Sequence, residues 1–391
     1  TLPILVYHFG FISLAGILLN IVALPLTAAA LGAGLLMVLS ASLSSSLGAV
    51  LGNTTESLIA LLIAIAEYGS STLSFMQIET GEINLPTFIC LIFIATIIAV
   101  YQLPKYRWKY VVVFVSIIML FNVKGISTSK AALSVVFFDV GHGDASLIHF
   151  PNGSTLLIDT GNKNQFTNQA KQVILPYLHR KGISTLDALV ITHPHRDHMG
   201  GLETLLASVS VKQLIGGDTA TVEKFNQMTA PLPDVPNILQ VSAGDTLALD
   251  ASVRIRILSP SPSLANQHNP NERSVVLQIQ YGHTTFLFLG DAESFAEQSI
   301  HAHFPAFLHS DVVKVAHHGS RTSSSDALIN AASSHNEVFA LISVGASSGY
   351  GLPDEEIIDR WIANNAEVHV TAESGALWIK SDGRHIWTIP F

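Results

Sequence analysis

The sequence predicts a membrane-embedded α-helical segment followed by an α/β domain. Three observations carry that prediction. Of the 29 acidic and 20 basic side chains in the 391 residues, only four and five lie in residues 1–130. After Gly125–Lys130 the pattern changes from long apolar runs to short β-branched strands alternating with amphipathic helices. One of those strands ends in three histidines and an aspartate within six positions, His193 to His198.

The charge division makes residues 1–130 nearly neutral (+1) and gives residues 131–391 the whole acidic excess (−10). No charged residue precedes Glu56, a depletion that a water-facing surface rarely tolerates. The competing reading is a very apolar helical core. Cys90 is the only cysteine and lies in an apolar run, so residues 131–391 hold neither a disulfide framework nor thiolate metal ligands. The start, Thr1-Leu2-Pro3, has no basic stretch leading into a short apolar run with a cleavage site, so a signal peptide is not expected. The expected origin is the C-terminal part of a longer membrane protein.

From Ile4 to Val50 the chain is apolar and rich in small residues, which favours close helix–helix contact in lipid. Pro25 predicts one helix over Phe9–Leu24 and a second over Leu26–Ser40. Glu56–Tyr68 reads as a segment along an interface or lining a bundle. Leu85–Tyr101 and Tyr110–Val123 are uncharged runs of 17 and 14 residues, short but serviceable for a hydrocarbon core of ~30 Å if flanking bases snorkel. Between them Lys105, Arg107 and Lys109 interleave with Tyr106 and Trp108. The positive-inside rule sets this loop on the cytoplasmic side and residues 131–391 on the opposite one.

In the α/β part, the strand pattern includes Leu133–Phe138, Ser154–Asp159, Ala188–Thr192, Thr284–Leu289 and Val312–Val315. Helices are predicted over Gln165–His179, Gly200–Ala207, Glu293–His301, Ser325–Ala332 and Asp354–Asn364.

The chemistry starts at the strand Ala188–Thr192. Histidines two apart in extended backbone point the same way, so His193 and His195 suit one metal ion; Asp197 and His198, where the chain turns, reach a second. Thr284–Leu289 leads into Gly290-Asp291, whose carboxylate is placed to bridge both ions. Val312–Val315 leads into Ala316-His317-His318-Gly319, one of whose histidines is a sixth ligand, His317 being favoured and His318 left to catalysis. Two divalent ions a few ångströms apart activate water and clamp an attacked centre's oxygens.

The His-x-His-x-Asp-His stretch, Ile158-Asp159-Thr160-Gly161, and the later Gly-Asp and His resemble the metallo-β-lactamase superfamily. More narrowly, Phe138-Asp139-Val140-Gly141-His142-Gly143-Asp144-Ala145 and His317-His318-Gly319-Ser320 resemble the ComEC family of competence proteins, as do Phe9–Leu14, Asn20 and Leu24–Leu26 upstream. The resemblance implies a membrane helical segment followed by an α/β metallo-β-lactamase fold (an αββα sandwich). Expected boundaries are 1–124 for the end of the channel region, 125–132 for a linker and 133–391 for the hydrolase domain. It implies a multi-pass protein of the bacterial inner membrane that takes up DNA for transformation alongside other competence proteins. An outward-facing nuclease domain with two divalent ions, zinc or manganese, then degrades the strand that is not transported. Catalytic roles are expected for Asp197, Asp144 and His318, orientation of a ligand histidine for Asp159, and phosphate contact or support for Ser320 and Asn271.

Two residues depart from the family pattern: His142 stands where Gln is usual, and Leu352 where Tyr-Gly-His-Pro usually has its histidine. Leu352 motivates a second reading, the same channel with a catalytically silent metal-binding cap. A third is a membrane-tethered metallohydrolase of small molecules. The acidic composition disfavours a broad phosphate-binding surface, although Arg196, Lys314 and Arg321 are placed to form a local basic rim.

Overall fold

Leu14–Ala41 carries no charged side chain and forms one continuous helix, α1; Ser45–Thr72 forms a second, α2. In this computed structural model the described residues are 11–41, 44–72, 77–79, 132–334, 337–346 and 351–389. They fall into two compact units, Thr1–Gly125 with His179–Gly182, and Ile126–Leu178 with Ile183–Phe391.

In the first unit, α1 runs through Pro25 instead of ending there. One missing N–H costs less than breaking the apolar helix on both sides, so the predicted division at this proline does not occur. The Glu56–Tyr68 segment lies within α2. Hydroxyls in these helices turn back onto the preceding turn, as when Thr54 Oγ1 donates to Val50 O at 2.9 Å and Thr55 Oγ1 to Leu51 O at 2.8 Å. A β-carbon on Gly48 would come within 2.9 Å of Ala41 Cβ, and one on Gly52 within 3.3 Å of Met37 Sδ. Glycines four apart thus let the two helices approach closely. Both helices are long and apolar enough to cross a membrane, and their apolar side chains stay largely exposed. They suggest membrane association. Strands β1 (Phe11–Ser13) and β2 (Gln77–Glu79) pair antiparallel at their ends. The predicted hairpin over 85–123 and most of the 125–132 linker lie outside the described residues.

The second unit is an αββα sandwich. Its strands begin with β3 (Leu133–Phe137), β4 (Ser146–His149), β5 (Thr155–Ile158), β6 (Thr185–Leu186), β7 (Ala188–Ile191), β8 (Ser210–Val211), β9 (Gln213–Gly216) and β10 (Asn237–Gln240). They continue with β11 (Thr246–Leu247), β12 (Val253–Ser259), β13 (Val276–Tyr281), β14 (Thr284–Phe288), β15 (Val312–Lys314), β16 (Val338–Ile342) and β17 (Ala366–Val370). The last two are β18 (Leu377–Ser381) and β19 (Ile386–Ile389). One sheet has the order β10-β9-β7-β5-β4-β3-β18-β19 and the other β11-β12-β13-β14-β15-β16-β17, with β6 and β8 paired separately.

Both faces of each sheet are covered, so central strands such as Ala188–Ile191 read as unbroken apolar runs. Between the sheets, Val135, Phe137 and Val190 meet Ile255, Leu277 and Phe288, with the Phe137 and Phe288 rings 5.8 Å apart. Outside the first sheet lie a π-helical turn at Ala170–Ile174 and α3 (Leu175–Arg180), then α4 (Arg196–Met199), α5 (Leu202–Leu206) and α6 (Thr219–Thr229). Ile174, Leu178, Leu202 and Phe225 bury Val136, Leu157 and Leu189 there. Outside the second lie α7 (Ser294–His303), α8 (Asp326–Ala332) and α9 (Glu355–Ala363), whose Ile300, Leu328 and Trp361 bury Leu287, Val313 and Ile342. A short α10 (Thr371–Ser374) precedes β18.

The helix expected from Gln165 starts only at Ala170, because Asn164 Oδ1 accepts from Phe166 N and Thr167 N, both at 2.8 Å, and holds the chain in a turn. Helix α6, absent from the sequence reading, has only Thr221, Phe225 and Thr229 buried and is started by Asp218, which accepts from Thr221 N at 2.7 Å.

Candidate metal centre

Parallel pairing sets the stage. Strands β5 and β7 run parallel in one sheet, and β14 and β15 in the other, so the loops after them open on one edge of the sandwich. These loops carry Asp159, His193–His198, Asp291 and His317–His318.

Locally, β7 ends at Ile191 and the chain bends over Thr192–Pro194 before His195 (φ −76°, ψ 154°), and this bend brings His193 Nε2 within 3.0 Å of His195 Nδ1. Helix α4 begins at the next residue and swings Asp197 and His198 round. Two adjoining groups of ligand atoms result, each with all its atoms within 4.8 Å of one another. One comprises His193, His195 and Asp291; the other comprises Asp197, His198, Asp291 and His318. Asp291 belongs to both. Its Oδ1 faces His198 Nε2 at 3.2 Å and His318 Nε2 at 4.0 Å, and its Oδ2 faces His193 Nε2 at 3.6 Å and His317 Nε2 at 3.9 Å.

The two adjacent histidines are thus separated by the fold. His318 is 1% exposed, and its Nε2 also lies 3.3 Å from Asp197 Oδ2. His317 is more open and sits at the rim, with Nδ1 3.0 Å from Thr322 Oγ1 and 3.1 Å from Glu293 Oε1.

Behind the ligand atoms, other groups fix the rings. His198 Nδ1 lies 2.8 Å from Asp159 Oδ2, and Asp159 also accepts from Thr192 N and Thr192 Oγ1 at 2.8 Å each. His318 Nδ1 lies 2.8 Å from Ser343 O, which leaves Nε2 to face the pocket. Asp144 is buried, accepts from Lys314 Nζ at 2.8 Å, and brings Oδ1 within 3.4 Å of His318 Nδ1. Asn271 is buried and donates from Nδ2 to Glu293 Oε1 at 2.9 Å. Ser274 Oγ accepts from Asp291 N at 3.3 Å. Ser320 Oγ stays within its own turn, 3.1 Å from Thr322 Oγ1. His142 reaches the second group, its Nε2 3.5 Å from Asp197 Oδ2 and its ring 4.8 Å from that of His318.

Of the three bases expected at a rim, Lys314 is 3% exposed and faces inward, while Arg196 and Arg321 stay exposed, Arg321 being paired with Asp354 at 2.9 Å. Leu352 is partly buried and packs against the apolar cluster under α7, α8 and α9. Thr192, Glu293 and the Ser343 carbonyl escaped the sequence reading. Thr192 had one visible signal: it precedes His193 directly in the chain.

The electrostatics are those of a concentrated negative site. Burial alone would raise Asp291, but His198, His318 and His193 hold its carboxyl well below the usual range. Burial likewise opposes protonation of His318, yet Asp291 and Asp144 outweigh it and lift the imidazole to about 10. His198 is raised well above its usual value against the same burial, by Asp291 and Asp159. His193, more deeply buried than its carboxylate neighbours can compensate, is lowered well below its usual value. Positive charge is therefore demanded where His198 and His318 meet the carboxylates. Buried His198 Nε2 and Asp291 Oδ1 face each other without a well-formed hydrogen bond. Imidazole and carboxylate donors with lone pairs turned to one place fit divalent cations such as zinc or manganese.

Residues 138–343 match the family model of the metallo-β-lactamase superfamily, and residues 1–105 match that of competence proteins. ComE operon protein 3 of Bacillus subtilis is 26% identical over 98% of this chain and 50% of its own length. Recombination protein 2 of Haemophilus influenzae is 32% identical over 63% of this chain and 29% of its own length. The chain thus spans half or less of these curated relatives. Among solved structures, the metallo-β-lactamase fold protein YhfI from Bacillus subtilis aligns over 66% of this chain and 99% of its own, at 15% identity and a TM-score of 0.43. The chain belongs to the metallo-β-lactamase superfamily and, with a competence-protein segment in front of that domain, to the ComEC family of competence proteins.

Proposed function

We propose that residues 133–391 are a two-metal phosphodiesterase, joined through residues 125–132 to the end of a multi-pass channel region, residues 1–124, in a bacterial inner membrane. Its substrate is DNA during uptake, its partners are the bilayer and other competence proteins, and its active face is on the outer side. The observation that carries the chemical half is Asp291, shared by two ligand groups. The DNA half rests on the likeness to competence proteins.

Divalent cations bound there would supply Lewis acidity and ionise water near neutral pH. The chain's own residues do the rest. His193 and His195 would hold one cation and Asp197, His198 and His318 the other, with Asp291 within reach of both. Asp159 keeps the proton of His198 on Nδ1, and Ser343 O keeps that of His318 on Nδ1, so both Nε2 lone pairs stay turned inward. Asp144, anchored by Lys314, backs His318 with negative charge. Arg196, exposed beside the ligand histidines, would meet the phosphate backbone. Ser320 contributes a turn hydroxyl at the rim, and Asn271 steadies Glu293.

The test uses the full chain purified in detergent, supplied with zinc or manganese and end-labelled DNA. Cleavage that is lost in Asp197→Ala supports the reading. Metal binding without cleavage, in the wild type and in Leu352→His alike, would replace it with the silent cap that Leu352 motivates. Turnover of lactones or thioesters without DNA cleavage would replace it with a small-molecule hydrolase.

A further inference from the structure

Neighbouring residues do not ordinarily aim at one target: in a strand they point to opposite faces. His317 and His318 break that rule by backbone conformation. Both are left-handed, at φ 47°, ψ 44° and φ 53°, ψ 25°, a region that residues with a β-carbon rarely enter and almost never in succession. The outcome is convergence. The two rings lie 6.3 Å apart, and their Nε2 atoms face different oxygens of Asp291, His317 facing Oδ2 at 3.9 Å and His318 facing Oδ1 at 4.0 Å.

The ligand groups are unequal without this. The second has four residues and the first only three, two of them imidazoles. We infer that His317 and His318 ligate one metal ion each, His317 completing the group of His193, His195 and Asp291 Oδ2. Two donors on one tetrahedral ion at about 2.1 Å stand about 3.4 Å apart. The spacings around Oδ2, 3.6 and 3.9 Å, are close to that, but His317 stands outside the 4.8 Å span of His193, His195 and Asp291, so binding of the ion would have to draw its ring inward.

His317 is also set up as a ligand on its far side. Its Nδ1 lies 3.1 Å from Glu293 Oε1 and 3.0 Å from Thr322 Oγ1, which keeps a proton there and leaves the Nε2 lone pair facing Asp291. Glu293 is itself held by Asn271 Nδ2 at 2.9 Å and Asn269 Nδ2 at 3.1 Å. A carboxylate behind a histidine, itself hydrogen-bonded, is the usual support of a metal-binding imidazole. Glu293 is in this sense a positioning residue, and it gives buried Asn271 its purpose. The inference rests on the two-metal reading above.

The experiment counts metal rather than turnover. The full chain in detergent is stripped with a chelator and titrated with zinc against a chromophoric competitor. Wild type takes up two equivalents. His317→Gly keeps one tight equivalent and weakens the other by about 100-fold or more, and Glu293→Gln weakens that same equivalent by about 10- to 100-fold. Glycine suits φ 47°, so metal-free His317→Gly melts above metal-free wild type, which separates loss of a ligand from loss of the fold. Two zinc ions bound to His317→Gly with wild-type affinity overturns the inference and leaves the two-metal reading standing. Fewer than two on the wild type overturns both, a result visible before any variant is made.

Discussion

Nζ of Lys314 lies 2.8 Å from Oδ2 of Asp144, with both side chains all but buried. A lysine at the end of β15 thereby neutralises an aspartate 170 residues earlier in the chain, directly behind His318. Burial alone would raise Asp144; Lys314 and His318 hold it low instead.

Removing Lys314 leaves a buried carboxylate with only His318 to offset its charge. Lys314→Met is expected to cost about 3–5 kcal/mol of folding stability, read from urea unfolding. The double variant Lys314→Met with Asp144→Asn is expected to recover most of that. If the two single losses simply add, the pair is not coupled.

Asp159 gathers Thr192 N, Thr192 Oγ1 and His198 Nδ1. Asp159→Asn turns an all-acceptor group into one that must present a donor to some of these partners. Zinc affinity, by chelator competition, should fall about 10- to 100-fold while far-ultraviolet dichroism stays near wild type. Unchanged affinity would mean that His198 is oriented by something else.

Gly143 has φ 144°, and a β-carbon on it would lie 2.5 Å from Asp197 O. Gly143→Ala must therefore displace the start of α4, which carries Asp197 and His198. Loss of about 1–3 kcal/mol is expected, together with weaker binding at the second metal position. A variant with wild-type metal affinity would show that the 141–144 loop does not brace the ligands.

Asp218 caps α6 and pairs with Arg273 Nε at 2.8 Å. Burial would raise its carboxyl, but Arg273 and Thr221 lower it below the usual value. A folded-state value below the unfolded one means the stabilisation is present above about pH 4 and disappears as pH falls through the lowered value. Asp218→Asn should therefore be less stable than wild type by about 1 kcal/mol near neutral pH, the gap closing in acid. A gap that is the same at both ends of a pH series of urea midpoints would refute a charge-linked role.

The legible part of the fold was the part written in local pattern. Ala188–Ile191, buried on both faces, announced itself by an unbroken apolar run, and Ser325, accepting from Leu328 N, announced the start of α8. Helix α6 did not, because only Thr221, Phe225 and Thr229 are buried and two of them are polar. Pro25 misled, because a single proline is a strong signal in water and a weak one in a long apolar helix.

Sequence alone singled out His193, His195, Asp197 and His198 as candidate ligands, because metal-binding residue types crowded into six positions are visible in one dimension. It also determined the division between an apolar segment and a charged domain, since charge along the chain is a one-dimensional property. Only tertiary structure decided that Lys314 turns inward to Asp144 and that His317 and His318 part to different oxygens of Asp291. Those relations join residues tens to hundreds of positions apart through sheet packing and two left-handed backbone residues, and no local periodicity encodes either.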